Sequence, residues 1–281
     1  MGKIERSWEL VKASWAVLRA DKELMIFPVL SMIAVTIVMA TFAVPLFLSG
    51  LLEGSFARSG GIPIFAIVVG FAFYTVQYTV IFYCNSALVG AAMIRLDGGD
   101  PTISDGFAIA NKRIMSILGY ALLAATVGVI LRNIAQRGML GRIIATMFGL
   151  AWNIATFLAV PVLVVEGIGP IEAVKRSTQL LKKTWGEQLV GNLGMGAVFA
   201  ILSILGVAVF GGTLALAIST RSTVLIIGVV ATGIATMILL GLFGSALSAI
   251  YAAAVYRYAV KGDPGGMFAP ALVREAFQVK S

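Results

Sequence analysis

Charged residues are missing from six long stretches of the chain. Residues 24–52, 59–94, 114–131, 143–165, 188–220 and 222–256 contain no Asp, Glu, Lys or Arg. A helix needs about 20 apolar residues to cross the hydrocarbon core of a bilayer. A helix on the surface of a water-soluble fold keeps a polar stripe instead. The pattern predicts an all-α polytopic membrane protein with six transmembrane helices, near 25–49, 62–94, 114–132, 142–165, 188–218 and 222–257. The second, fifth and sixth charge-free stretches exceed 30 residues, or roughly 50 Å at 1.5 Å per residue. They must tilt, kink or project beyond the bilayer, and Gly206, Gly211 and Gly212 are candidate weak points in the fifth.

A second periodicity precedes alternate spans. Ile4, Trp8, Val11, Trp15 and Leu18 recur at helical spacing before the first span, with Glu5, Arg6, Glu9, Lys12 and Arg19 on another side. Before the fifth span, Ile171, Val174, Thr178, Leu181 and Trp185 repeat this, opposed by Glu172, Lys175, Arg176, Gln179, Lys182 and Lys183. Apolar faces with Trp and basic flanks suit helices lying in the headgroup region. The two segments align residue by residue: Arg6, Ser7, Leu10, Lys12 and Trp15 match Arg176, Ser177, Leu180, Lys182 and Trp185 at a constant offset of 170. Ser104–Arg113 is a weaker third copy before the third span, with the basic end but no Trp. The expected architecture is one integral membrane domain over 1–281, with cytoplasmic interfacial amphipathic helices before helices 1, 3 and 5 and repeat units at 3–95, 102–166 and 170–258. The plainer reading is that each such helix anchors the hairpin behind it; the functional reading is that the set holds lipid headgroups.

Charge then sets the orientation. Sixteen of the 21 basic residues fall on the side of the termini, which the positive-inside rule places in the cytoplasm. The exceptions are Arg58, Arg221 and the segment Arg132–Arg142, which holds Arg137 as well. Either that segment tolerates its charge outside, or helices three and four form a hairpin that does not fully cross; both leave the termini on one side. The first span follows an amphipathic helix and is longer than a signal h-region, so it is expected to be retained.

Composition narrows the chemistry. Only 12% of the residues are charged, against about 25% in soluble domains, and the polar segments are short connections with no room for a separate catalytic domain. Histidine is absent, which removes the commonest general base and zinc ligand. Cys84 stands alone in a hydrophobic run and reads as a packing residue. No cofactor and no enzymatic activity are expected, since no cluster of nucleophile, base and metal ligands is visible. The net charge of +8 belongs to span flanks, so the expected partner is an anionic membrane face rather than nucleic acid.

Within the spans the polar residues are few. Gln77, Asn85 and Asn153 are candidates for a polar groove, although buried amides more often bridge neighbouring helices. Gly241, Ser245, Ala249 and Ala253, with Gly244, Ser248 and Ala252 beside them, form small-residue rows on helix six. Such rows admit a close partner helix, in the same chain or in a homo- or hetero-oligomer. Glu166 ends helix four in Pro161–Gly167; it can accept from the free N–H groups of the next helix or pair with Lys175 or Arg176. The loop with Asp97, Asp100 and Asp105 lacks calcium-loop spacing and reads as a turn at Gly98-Gly99 with a helix cap at Thr102 or Ser104.

Several of these blocks together resemble a family of uncharacterised bacterial six-helix membrane proteins, and distantly the membrane domain attached to some glycerophosphodiester phosphodiesterases. The blocks are Ser7-Trp8 and Ser14-Trp15, Gly99–Phe107, Pro161–Gly167, Ala173–Ser177 and Lys183–Gly186. The resemblance implies a multi-pass protein of a prokaryotic cytoplasmic membrane; the phosphodiesterase domain is absent, so that activity does not carry over. The expected function is a non-enzymatic membrane protein that binds or organises lipids or other membrane proteins. Trp8, Lys12, Trp15, Glu166, Arg176, Lys182 and Trp185 are its candidate interface residues. The alternative is a transporter or permease for a lipid-like or small amphipathic solute, with its cavity near Gln77, Asn85 and Asn153.

Overall fold

In a computed structural model, residues 3–48, 64–185 and 194–274 are described, and every regular element among them is helical. In chain order these are α1 (Lys3–Ala20), a 3-10 turn (Lys22–Met25), α2 (Ile26–Leu48), α3 (Ile64–Leu96), α4 (Ile103–Lys112), α5 (Ile114–Ala135) and α6 (Met139–Thr156). They continue with α7 (Ala159–Glu166), α8 (Pro170–Trp185), α9 (Gly194–Ser219), α10 (Thr223–Lys261) and α11 (Pro270–Arg274). Six helical segments are long and apolar enough to cross a membrane: α2, α3, α5, α6 with α7, α9 and α10. Arg58 lies outside the described residues, as does the side chain of Trp185.

The chain divides into two compact units. The first comprises Met1–Met25, Ala92–Asp100 and Lys182–Ser281. In it, α1 packs along both α9 and α10, which pack on each other. Trp15 meets Phe243 with ring centroids 5.5 Å apart. The glycines of the fifth span do not break it: α9 runs uninterrupted through Gly206, Gly211 and Gly212. Helix α10 is one continuous element of 39 residues, or about 58 Å, far more than a bilayer core requires. Its excess lies at the end carrying Arg257 and Lys261, where Ala246, Ala249, Ile250, Ala253 and Val255 are buried. Of the small-residue rows, Ala249, Ala252 and Ala253 are buried, while Gly241, Ser245 and Ser248 are exposed.

Charges pin that end of α10. Arg257 donates to the Leu96 carbonyl and pairs with Asp97 at 3.2 Å and Asp263 at 3.0 Å, while Lys261 reaches Asp97 at 3.1 Å. Nearby in sequence, Asp21 is only 6% exposed. Its Oδ1 accepts from the Glu23 N–H at 3.2 Å. Burial pushes its carboxyl above the ordinary aspartate range, opposed by that hydrogen bond and by the Arg95 charge.

The second unit comprises Ile26–Ala91 and Pro101–Leu181. Helices α5 and α6 form a hairpin, and α5 spans 22 residues, or about 33 Å. A ladder of rings climbs α3: Phe73, Tyr74, Tyr78 and Phe82 follow one another, continued by Phe42 at one end and Tyr120 at the other. Arg132, the first cation of the basic 132–142 segment, donates to Tyr74 Oη at 2.7 Å. Helix α4 opens with a capping box in which Thr102 and Asp105 satisfy each other's backbone N–H. The Thr102 hydroxyl, donating at 2.7 Å, and then its N–H hold the Asp105 carboxyl below its usual range. Gly106 lies where a Cβ would meet the Phe27 ring at 2.5 Å and the Ala87 carbonyl at 2.8 Å, so only glycine lets α4 sit this close.

The fourth span departs from the continuous helix expected at 142–165: it breaks between α6 and α7, at Phe157 and Leu158. The cause is Pro161, which has no N–H for the Phe157 carbonyl four residues earlier and whose ring crowds it. The chain tightens instead, with the Phe157 N–H bonding to Ile154 at 3.2 Å.

Candidate functional site

The break leaves the Leu158 N–H without a helical partner, and Ser177 Oγ on α8 accepts it at 3.1 Å. Both residues are fully buried. A donor freed by a proline in one helix is thus satisfied by a side chain of the next. After eight residues α7 stops at Gly167, whose φ of +68° is the left-handed cap glycine adopts without strain. Arg113, at the one-residue joint between α4 and α5, donates from Nε to the Val164 carbonyl in the last turn of α7 at 3.2 Å. A cation there complements the carbonyl-rich helix end. The backbone conformation favours glycine here, and a Cβ on Gly167 would also push the Arg113 guanidinium off this position.

Glu166 completes this corner. The Nε of Arg176 lies 3.1 Å from both of its carboxylate oxygens. The pair is partly open, with side chains 23% exposed for Glu166 and 42% for Arg176. Arg176 and Ser177 are adjacent on α8, so two consecutive residues hold the two ends of α7. Pro161, Glu166, Gly167, Arg113, Arg176 and Ser177 therefore form one connected node of the second unit.

The first unit presents a different surface. Helix α1 buries one side and opens the other. Ser7, Leu10, Ser14, Val17 and Leu18 lie on its buried side. Ser14 donates to the Leu10 carbonyl at 3.0 Å, keeping its hydroxyl satisfied there. Trp8 and Trp15 remain 47% and 44% exposed, with Phe243 against part of Trp15. Lys12 and Arg19, each one helical turn past a tryptophan, are exposed on the same open side, where Lys12 pairs with Glu9 at 2.7 Å. Of the apolar row that hydropathy singles out, Leu18 is buried and both tryptophans stay partly open, while a serine-bearing row beside it is covered. Helix α8 follows the same rule: Ala173, Ser177, Leu180 and Leu181 are buried, whereas Ile171, Lys175 and Lys182 are exposed.

The three amides do not assemble. Gln77 and Asn85 on α3 are half-buried and Asn153 on α6 is exposed, and no hydrogen bond among the described residues joins them. Sequence reasoning missed Arg113, Ser177 as an acceptor, and the aromatic ladder. The ladder had a signal in the four-residue spacing of Tyr74, Tyr78 and Phe82, and Pro161 within a span signals a free carbonyl and a displaced N–H. Arg113 had none, because its partner lies 51 residues away.

Residues 64–266, well over half of the chain, match DUF6159, a family of unknown function. The chain belongs to this family. The matched region holds the whole α7–α8 node together with α10, and it leaves α1 and α2 outside. No curated protein and no solved structure matches the chain. Membership in DUF6159 thus brings no known chemistry, and the functional reading rests on the geometry.

Proposed function

We propose that this protein is a non-enzymatic multi-pass membrane protein that binds and organises lipids at the membrane surface, with α1 as its principal contact. The observation that supports this reading most is the open side of α1. One side of the helix is buried, and the other carries the partly exposed Trp8 and Trp15 with Lys12 and Arg19 one turn past them, at the entrance to the first span. Indole rings partition to the boundary between hydrocarbon and headgroups. Flanking Lys12 and Arg19 favour anionic lipid there. The excess of basic residues on the side of the termini supports a cytoplasmic placement of α1, and with it residence in a prokaryotic cytoplasmic membrane.

Native mass spectrometry of the protein released from its membrane tests the reading. Wild type is expected to carry a defined anionic lipid. Replacing Trp8 and Trp15 together with serine should remove it, while the far-ultraviolet spectrum and elution volume stay unchanged. Equal lipid retention by wild type and the double variant would overturn the proposal.

A further inference from the structure

A groove on the membrane-exposed side of the α9–α10 hairpin has a volume of about 570 Å³. That is within the range of small-molecule sites, about 300–1,000 Å³. It runs from Val224, three residues past the hairpin tip, to Met237. Thirteen residues of helix cover about 20 Å, enough to reach from the interface past the midplane of a core about 30 Å thick. Its walls are almost wholly apolar. Even the Thr213 and Thr236 hydroxyls turn to their own backbone, bonding Val209 at 2.9 Å and Thr232 at 2.8 Å. A cavity of this shape and chemistry fits a single acyl chain.

What stands at its mouth separates a particular lipid from bulk solvent. Arg221 occupies the hairpin tip, exposed, and no described residue forms an ion pair with it. It is the only charged residue between Glu187 and Arg257. Its φ of +53° makes it the one described non-glycine residue in the left-handed region, where a side chain is disfavoured. A strained tip position is thus held by a cation rather than by glycine or asparagine, at the end of an apolar channel.

We infer that the α9–α10 groove binds one acyl chain of an anionic phospholipid whose phosphate is held by Arg221. This names a second lipid site for the reading above and lies on different helices from the α1 stripe, so each can fail alone. Gly228 gives the cleanest perturbation. It lines the groove, and a Cβ built on it meets nothing within 4 Å, so the side chain of Gly228→Phe starts in open space and takes up room in the groove.

The test reconstitutes the full chain in nanodiscs of phosphatidylglycerol mixed equally with phosphatidylcholine, and weighs the lipid co-released with it in native mass spectrometry. Wild type should retain phosphatidylglycerol over phosphatidylcholine. Arg221→Gln should lower that preference about fivefold, as expected for one surface cation, and Arg221→Lys should restore it. Gly228→Phe should remove only the lipid held in this groove and leave the α1 lipid bound, while the Trp8 and Trp15 double variant should remove the α1 lipid and leave this one. A photoreactive-acyl phosphatidylglycerol on unmutated protein should label peptides within 205–237, a readout that does not depend on any variant folding. No labelling within 205–237, equal retention of both lipids, or a dimer that Gly228→Phe dissociates, which would make the occupant a second copy, each overturns the inference.

Discussion

Helices α1 and α8 are the two copies of one sequence pattern, and they use it differently. Matched positions share their fate in the fold: Ser7 and Ser177 are buried, as are Leu10 and Leu180, while Lys12 and Lys182 are exposed. The buried serine of α8 takes a job outside its own helix, accepting the N–H that Pro161 displaces at Leu158. On α1 a neighbouring buried serine, Ser14, which faces Thr184 in the alignment, turns back to Leu10, four residues earlier in its own helix. The lesson is that a repeat conserves which side of a helix faces protein, because small residues allow close approach, while neighbours decide what the polar atoms on that side do. The corner at α7–α8 is a polar joint with each end clamped. The α1 packing is a close fit of small and apolar residues that leaves Trp8 and Trp15 partly exposed.

Five substitutions, in four tests, sharpen or break this contrast. The largest effect is expected at Gly167→Ala, which combines a left-handed backbone with the Arg113 guanidinium. It should lower the stability of the detergent-solubilised protein by about 2–3 kcal/mol, read as a thermal shift. Next comes the pair Ser177→Ala and Ser14→Ala. Removing Ser177 strands a buried N–H and should cost about 1–3 kcal/mol. Removing Ser14 frees only a carbonyl already within a helix and should be close to neutral. Equal costs would erase the proposed difference between the two copies.

Third, Arg176→Met should destabilise by about 1 kcal/mol or less, since the Glu166 pair is partly solvated. The loss should shrink in high salt. A loss several times larger would mean the pair is sealed from solvent. The smallest effect concerns the carboxylate that lies opposite in character to Glu166. Asp21 is buried, and its carboxyl is raised above the ordinary range. The native state therefore holds the proton at pH values where the unfolded chain has released it, and stability falls as pH rises from the ordinary aspartate range through the raised value. Asp21→Asn keeps an oxygen for the Glu23 N–H and removes the charge. It should be slightly more stable than wild type at pH 7, with the advantage vanishing as pH falls below the ordinary aspartate range. An advantage that does not change with pH would show that burial of the Asp21 charge is not the cause.

Much of the fold was legible in the residue order. Six apolar runs without a charge can form only spanning helices once the backbone must satisfy itself, and the helices begin and end within a few residues of those runs, apart from the fifth span, whose expected start at 188–193 lies outside the described residues. The short helices α1, α4 and α8 were legible for the same reason, since periodic apolar residues and a Thr102–Asp105 cap are local signals. Less legible was the face each buries. Hydropathy ranks Trp above Ser, yet the fold covers Ser7, Ser14 and Ser177 and leaves Trp8 exposed. In a membrane a large apolar ring loses nothing by facing lipid, whereas close helix packing rewards a small side chain.

Sequence alone thus determined that this chain is helical, that it can cross a membrane six times, and where its cations gather, because hydrocarbon tolerates neither open backbone nor charge. Only the tertiary structure decided that Arg113 caps α7, that Ser177 mends the break at Pro161, and that an apolar groove opens between α9 and α10. Each depends on groups brought together across a turn or across tens of residues, and no local rule of spacing encodes such distances.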